Sequence, residues 1–286
     1  CGILFDQGVD GAVTGHVIAR NLRSYSREGA PARAGTAGVL QNMTLGPVEM
    51  YECLGVKAVE YVPASNGANF EALGPIYSEG TGGGVRLAGF GDGPAAIKDF
   101  VIGPRASIHD NHANIYQRIK NATLENGVCC GAQNPMATQW DDDDGAYPPG
   151  SGVNRVFRNL WLSGLTGIDG TRSANGILRS DDGLYDSTID RVFSVYGGSS
   201  SFGSGAGSEP NTNLVVSRSV FDTVARSSTG DGNTWAGVTF RNCVFFGKSG
   251  QASAYATTSE YIEAFGGTCI DCVDVPGSLF NGVITD

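Results

Sequence analysis

Charge is scarce in this chain. Only 17% of its 286 residues are Asp, Glu, Lys or Arg, against the usual quarter. A long coiled coil is excluded, because it would be rich in Glu, Lys, Leu and Ala. Wholesale disorder is disfavoured as well, since 41% of the residues are hydrophobic and disorder needs low apolar content or high charge. Basic residues are the scarcer sign, 19 against 29 acidic, which leaves a formal net charge of −10. That field repels a nucleic-acid backbone or an anionic membrane surface, so neither is an expected partner. No apolar run approaches the roughly 18 residues of a membrane span. No glycine recurs at every third residue, which excludes collagen. No stretch of about 11 residues shows a 3.6-residue apolar stripe, so an α/β barrel is disfavoured. The nucleophile elbow Gly-x-Ser-x-Gly is missing. Gly80-Thr-Gly-Gly-Gly84 lacks the Gly-Lys-Ser/Thr ending of a phosphate loop and reads as a flexible loop.

Glycine is plentiful, at 43 of 286 or about 15%, roughly twice the average usage. A short pattern also repeats: apolar, any, Asn, apolar, any, apolar. Leu40-Gln-Asn42-Met-Thr-Leu45, Ile119-Lys-Asn121-Ala-Thr-Leu124, Phe157-Arg-Asn159-Leu-Trp-Leu162 and Phe240-Arg-Asn242-Cys-Val-Phe245 fit it. Ala19-Arg-Asn21-Leu22 fits in part, and weaker copies centre on Arg191, Ser219 and Cys272. Val48-Glu-Met50 and Ile97-Lys-Asp-Phe100 read as further strands between Asn42 and Asn121. The uneven spacing does not suit helical repeats or the fixed period of a propeller. It suits short strands joined by loops of variable length.

These observations predict a parallel solenoid of roughly ten coils, each holding two or three strands that pair with their equivalents in the next coil about 4.8 Å away. Leu40, Ile119, Phe157, Leu160, Phe240 and Val273 are expected to point inward. Asn42, Asn121, Asn159 and Asn242 are expected at equivalent corners, because Asn tolerates left-handed backbone and its amide can bond to the next coil. The stretches 63–95, 129–152, 163–187 and 197–212 read as long insertions on one flank.

On Phe157-Arg-Asn159-Leu-Trp-Leu162-Ser-Gly164 and Val238-Thr-Phe-Arg-Asn242-Cys-Val-Phe-Phe-Gly247 the chain resembles the pectate-lyase-like superfamily over roughly residues 2–284. The resemblance implies an all-β fold, a single-stranded right-handed parallel β-helix with long loop insertions, in one domain over residues 1–286. That group includes polysaccharide lyases and hydrolases, epimerases and phage tailspike depolymerases and adhesins. The Gly- and Ser-rich, low-charge texture looks most like a tailspike or a secreted bacterial equivalent. Two functions follow as expectations: binding and cleavage of an extracellular polysaccharide, or a non-catalytic structural or adhesive fibre. Either implies an extracellular or virion-surface location. A homo-oligomer, such as a side-by-side trimer, or a place in a larger assembly is expected too.

Three segments could carry chemistry. In Trp140-Asp141-Asp142-Asp143-Asp144-Gly-Ala-Tyr147 four adjacent carboxylates repel one another. Either the loop is simply solvated, or Trp140 and Tyr147 stack on sugar rings beside the carboxylates. A Ca²⁺ ion would offset the repulsion, although the spaced acidic pattern of a calcium loop is missing. Ser180-Asp181-Asp182-Gly183 is either a turn or, as in the resembled polygalacturonases, a source of paired catalytic aspartates. That family's Gly-His-Gly is missing here, and Arg118-Ile119-Lys120 lies upstream, in the wrong order. His109-Asp110-Asn111-His112, with Tyr116, Arg118 and Lys120 nearby, is either a turn or a source of the base and cation that a lyase needs. The expected catalytic residues are therefore Asp181, Asp182 and Asp144. The expected substrate-binding residues are Trp140, Tyr147, Arg118 and His112.

Seven cysteines, at 1, 53, 129, 130, 243, 269 and 272, make an odd count. Cys269 and Cys272 form a lone CxxC, which does not support a zinc site. Residues three apart in one strand point to opposite faces, and the cysteines are read as mostly reduced and packed as small apolar residues. The chain opens on Cys1 and runs directly into Gly2-Ile3-Leu4-Phe5, read as strand. The expectation is a fragment or processed part of a longer chain, with its N-terminal strand edge covered by another segment or subunit.

Overall fold

The computed structural model describes residues 3–5, 15, 17–20, 32–34, 41–51, 59–61, 68–72, 76–78, 85–87, 95–102, 115–117, 121–130, 136–138, 154–163, 178–180, 184–195, 202–204, 211–225, 235–248 and 252–276. They form a parallel β-solenoid of two sheets, of fifteen and nine strands, in which every strand pairing is parallel. The main path of the larger sheet runs through ten strands, about 45 Å of stacking at the usual strand separation.

The key local feature is a bend inside the long strands. Ala95–Ile102, Ala122–Cys130, Val156–Ser163 and Thr188–Val195 each contain one residue that the strand register skips: Asp99, Asn126, Asn159 and Arg191. All four have left-handed backbone, with φ of 53° to 57°. Arg218, Asn242 and Asp271 continue this column in the later coils. A second left-handed column stands five residues earlier in each coil, at Asn121, Asn154, Asp186, Asn213, Gly237 and Gly266. Asn, Asp and Gly carry left-handed backbone at least cost, and the amides also link the coils. Asn126 Nδ2 donates to Asp99 Oδ1 at 3.0 Å and Asn159 Nδ2 to Asn126 Oδ1 at 2.9 Å. In the other column Asn154 donates to Asn121 at 2.8 Å and Asn213 to Asp186 at 2.7 Å.

Each coil therefore has three strand positions. A four-residue strand between the two corners builds a first ladder. The strand after the second corner builds a second ladder. The nine-stranded sheet, from Ile3–Phe5 through Met136–Thr138 and Leu178–Ser180 to Val224–Ala225, forms the third side. The corner residue also resets the in–out alternation. Phe157 and Leu160, which flank Asn159, are both buried, while Arg158 and Trp161 face outward.

Inward positions stack into continuous rows. One contains Ile97, Leu124, Phe157, Ile189, Val216 and Phe240, each with no exposed surface. Another runs through Phe100, Gly127, Leu160 and Val192. Each large apolar side chain so buried contributes roughly 1.5–3 kcal/mol, and ring contacts such as Phe240–Phe245, with centroids 5.5 Å apart, add to it.

The expected fold is therefore the observed one, with three corrections. The marked asparagines do not share one corner. Asn159 and Asn242 do, but Asn121 belongs to the earlier column, and the pairing of Gln41–Leu45 with Ala68–Ala72 aligns Asn42 with that column too. Phe157, Leu160 and Phe240 point inward, but Val273 is 54% exposed, because the corner is Asp271 and not Cys272. Likewise the corner is Arg218, not Ser219. Finally, the supposed insertions enclose paired strands. Ala68–Ala72, Ile76–Ser78 and Val85–Leu87 fall within 63–95, and Met136–Thr138, Leu178–Ser180 and Phe202–Ser204 within the other three. Asn21, Leu40 and Ile119 lie outside the described residues.

One helix is present among the described residues, Thr258–Ala264. Thr257 caps it by accepting from the Glu260 amide at 3.1 Å, and Glu260 Oε2 accepts from the Ala256 amide at 2.9 Å. Asp274 Oδ1 accepts from the Thr258 and Ser259 amides and ties the helix to the strand Val273–Val275. Among the described residues no helix is long and apolar enough to cross a membrane.

Candidate functional site

The outward side of the first ladder presents two rows. The row next to the first corner holds Ala96, Thr123, Val156, Thr188, Val215, Thr239 and Thr268, a flat strip of small and β-branched side chains. The row next to the second corner alternates in charge: Lys98, Glu125, Arg158 and Asp190, then Ser217 and Arg241. Opposite charges thus meet on neighbouring strands, which stabilises the register. Lys98 Nζ sits 2.8 Å from Glu71 Oε1, and Arg158 sits 3.6 Å from Glu125. The hydrogen bond from Lys98 to Glu71 raises the Lys98 pKa against a smaller opposing effect of burial.

Asp190 is the centre of this row. It accepts from Arg218 at both carboxylate oxygens, 2.8 and 2.6 Å, and from Ser217 at 2.7 Å, and Arg191 lies 3.2 Å away. Arg191 and Arg218 are themselves left-handed corner residues, a backbone that costs an ordinary L-residue roughly 1–2 kcal/mol. The fork onto Asp190 offsets that cost. Burial pushes the Asp190 pKa up, but the hydrogen bonds from Ser217 and Arg218 and the two guanidinium charges outweigh it, and the net direction is down. A depressed carboxylate stabilises the fold above its unfolded pKa of about 3.9 and loses that stabilisation as pH falls through the lower folded value. Asp190→Asn is therefore expected to be less stable than the parent at neutral pH. The gap should close in acid, as measured by urea unfolding at both pH values. An equal gap in acid and at neutrality would contradict the pairing.

The residues marked for chemistry, Asp144, Asp181, Asp182, Trp140, Tyr147, Arg118 and His112, lie outside the described residues. Their chain neighbours are described. Thr138 and Ser180 are register partners on adjacent strands of the nine-stranded sheet. Gln117 stands in the same line, one residue beyond the Tyr116–Ala137 pair. The segments that contain Arg118, Trp140 to Tyr147 and Asp181–Asp182 are thus attached at one edge, at the same end of three consecutive strands. The next described residues, Asn121, Asn154 and Leu184, lead into the first ladder.

A second outward feature was not singled out as a site in the sequence. On the second ladder a single row runs through Val101, Val128, Trp161, Phe193, Val220, Val244 and Val273. Trp161 is 53% exposed, and its ring centroid lies 4.7 Å from that of Phe193. The signal was present, because each of these residues occupies the first position after the inward residue that follows a corner. Val101, Val128, Trp161 and Val273 are exposed and Phe193, Val220 and Val244 are half-buried, a continuous apolar row rather than the scattered singles of an ordinary surface. Among the described residues, no group of three His, Cys, Asp or Glu could hold a metal ion.

No protein-family model, curated protein or solved structure matches the chain.

Proposed function

We propose that this β-solenoid belongs with the pectate-lyase-like proteins and binds an extracellular polysaccharide across its first ladder, with hydrolysis as the chemistry its loop carboxylates would perform. The observation that carries this reading is the alignment of Gln117, Thr138 and Ser180. In the chain these residues precede segments rich in carboxylates, aromatics and cations, and each segment leads on to the first ladder, with its threonine-bearing strip and its row of alternating charge. A polymer with regularly spaced hydroxyl and carboxylate groups suits such a surface, because its repeat can meet equivalent groups in successive coils. Carboxylates adjacent in sequence, as at Asp141 to Asp144, raise one another's pKa, the direction that a general acid needs. An extracellular or virion-surface location follows from a polysaccharide partner.

The second reading is a structural or adhesive fibre, and the apolar row from Val101 to Val273 favours it. Chains packed side by side through Trp161 and Phe193, three in the tailspike-like arrangement, would cover that row. The two readings use different faces and are compatible in one molecule. The test is a panel of soluble neutral and acidic polysaccharides, scored by retention of the protein in affinity electrophoresis and by release of reducing ends or of ultraviolet-absorbing unsaturated uronates. Retention on at least one polysaccharide supports the proposal. Retention on none, with the protein self-associated, would leave the fibre reading.

A further inference from the structure

The inward row of Leu160 and Val192 ends in three side chains of another kind, Ser219, Cys243 and Cys272. The pairings Phe193–Val220–Val244–Val273, one residue on, put Val192, Ser219, Cys243 and Cys272 in line. Each of the three polar groups reaches back across its corner to the carbonyl two residues earlier. Ser219 donates to Ser217 O at 2.7 Å, Cys243 to Arg241 O at 3.5 Å and Cys272 to Ile270 O at 3.6 Å. Cys269 lies in the neighbouring inward row, paired with Phe240. The expectation that Cys269 and Cys272 point to opposite faces fails, because the left-handed Asp271 stands between them and resets the alternation. Both turn towards the core, and Cys272 lies within hydrogen-bonding reach of Cys243 and of Cys269. All three are free thiols; Cys243 is buried, and Cys269 and Cys272 are partly exposed.

We propose that Cys243 and Cys272 are a disulfide-forming pair that fastens the coil of Thr268–Val275 to the coil before it. Register partners on parallel strands stand about 4.8–5.5 Å apart, inside the Cα separation that a disulfide requires. Once ionised, Cys272 gives up its bond to Ile270 O and is faced by the Cys243 and Cys269 thiols, which holds its pKa well below the ordinary thiol value; the same contacts, with burial, push the other two up. Partly exposed where Cys243 is buried, Cys272 is the thiol that a small oxidant reaches first, and it reacts as the thiolate. It attacks a small-molecule disulfide such as oxidised glutathione and expels one thiol. Cys243, on losing its proton, then attacks the Cys272 sulfur of the mixed disulfide and expels the second. Two protein thiols become one S–S bond while one glutathione disulfide becomes two thiols. The new bond closes the segment 244–271, which holds the helix Thr258–Ala264 and its packed rings Tyr255, Tyr261 and Phe265.

The test is incubation of the full chain with oxidised glutathione, followed by peptide mapping without reductant and by thermal unfolding. The expected product is a Cys243–Cys272 linked peptide, with the melting temperature raised by about 5 °C or more, since a loop of this length is constrained in the unfolded state. Cys272→Ser should match the stability of the reduced parent, because Ser219 already makes the same bond in the same row, and should lose the rise on oxidation. Cys269→Ser should form the same bond and show the same rise on oxidation. A Cys269–Cys272 link, glutathione adducts alone, or a linked product with an unchanged melting temperature would overturn the proposal.

Discussion

Gly127→Ala should destabilise the protein by about 3 kcal/mol, the upper end of the usual overpacking cost. Gly127 and Phe100 are register partners on adjacent strands, and the Phe100 ring lies over the glycine. A Cβ at Gly127 would sit 2.0 Å from Phe100 Cζ and 2.2 Å from its Cε2. Phe100 is 1% exposed, and Gly127 is followed in the same row by buried Leu160, so the ring has nowhere to move without disturbing the next coil. The Phe100→Leu, Gly127→Ala double variant should recover much of the loss, because the two positions share one volume and their effects are not additive. Denaturant unfolding of both variants measures this. A Gly127→Ala protein as stable as the parent would contradict the packing of this row.

The second large effect is expected at a corner. Asn159→Val puts a β-branched residue at φ 53°, where left-handed backbone costs an ordinary residue roughly 1–2 kcal/mol and a β-branched one more. It also removes the amide that donates to Asn126 at 2.9 Å, a further loss of about 1 kcal/mol. The sum is about 3 kcal/mol. Asn159→Gly keeps the backbone and loses only the amide, so it should cost about a third as much. Equal costs for Val and Gly in urea unfolding would show that the corner is not left-handed.

The fold was legible where a corner falls on Asn between large apolar residues, as in Phe157-Arg-Asn159-Leu. It blurred where two corners look alike. Asn121 and Asn159 have similar neighbours, and only the five-residue spacing of Asn121 with Asn126 and of Asn154 with Asn159 separates the columns. Arg191 was placed at a corner by position alone, and Arg218 was missed by one residue. Arginine is a poor left-handed residue, and what holds both there is the Asp190 carboxylate, a contact made only after folding. The nine-stranded sheet was hidden because strands such as Met136–Thr138 and Leu178–Ser180 are three residues long, too short for an alternation to register. The helix was missed, because its seven residues cannot carry an apolar stripe. The candidate site was legible in its ingredients. The alignment of the strand ends that precede its segments depends on the pairing of Thr138 with Ser180, which no local pattern contains. The row through Trp161 was overlooked because Trp161 and Val244 fall on the unspecified position of the repeat and Val273 was expected inward.

The chain has three tryptophans, and each reports a different place. Trp235 is fully buried, Trp161 is half-exposed on the second ladder, and Trp140 belongs to the segment attached after Thr138. The most direct test of the proposed polysaccharide-binding face is oxidative footprinting of these residues with and without a polysaccharide that the protein retains. The account predicts that bound sugar protects Trp140 and leaves Trp161 and Trp235 unchanged. Protection of Trp161 with Trp140 unchanged would place the sugar on the second ladder and contradict it.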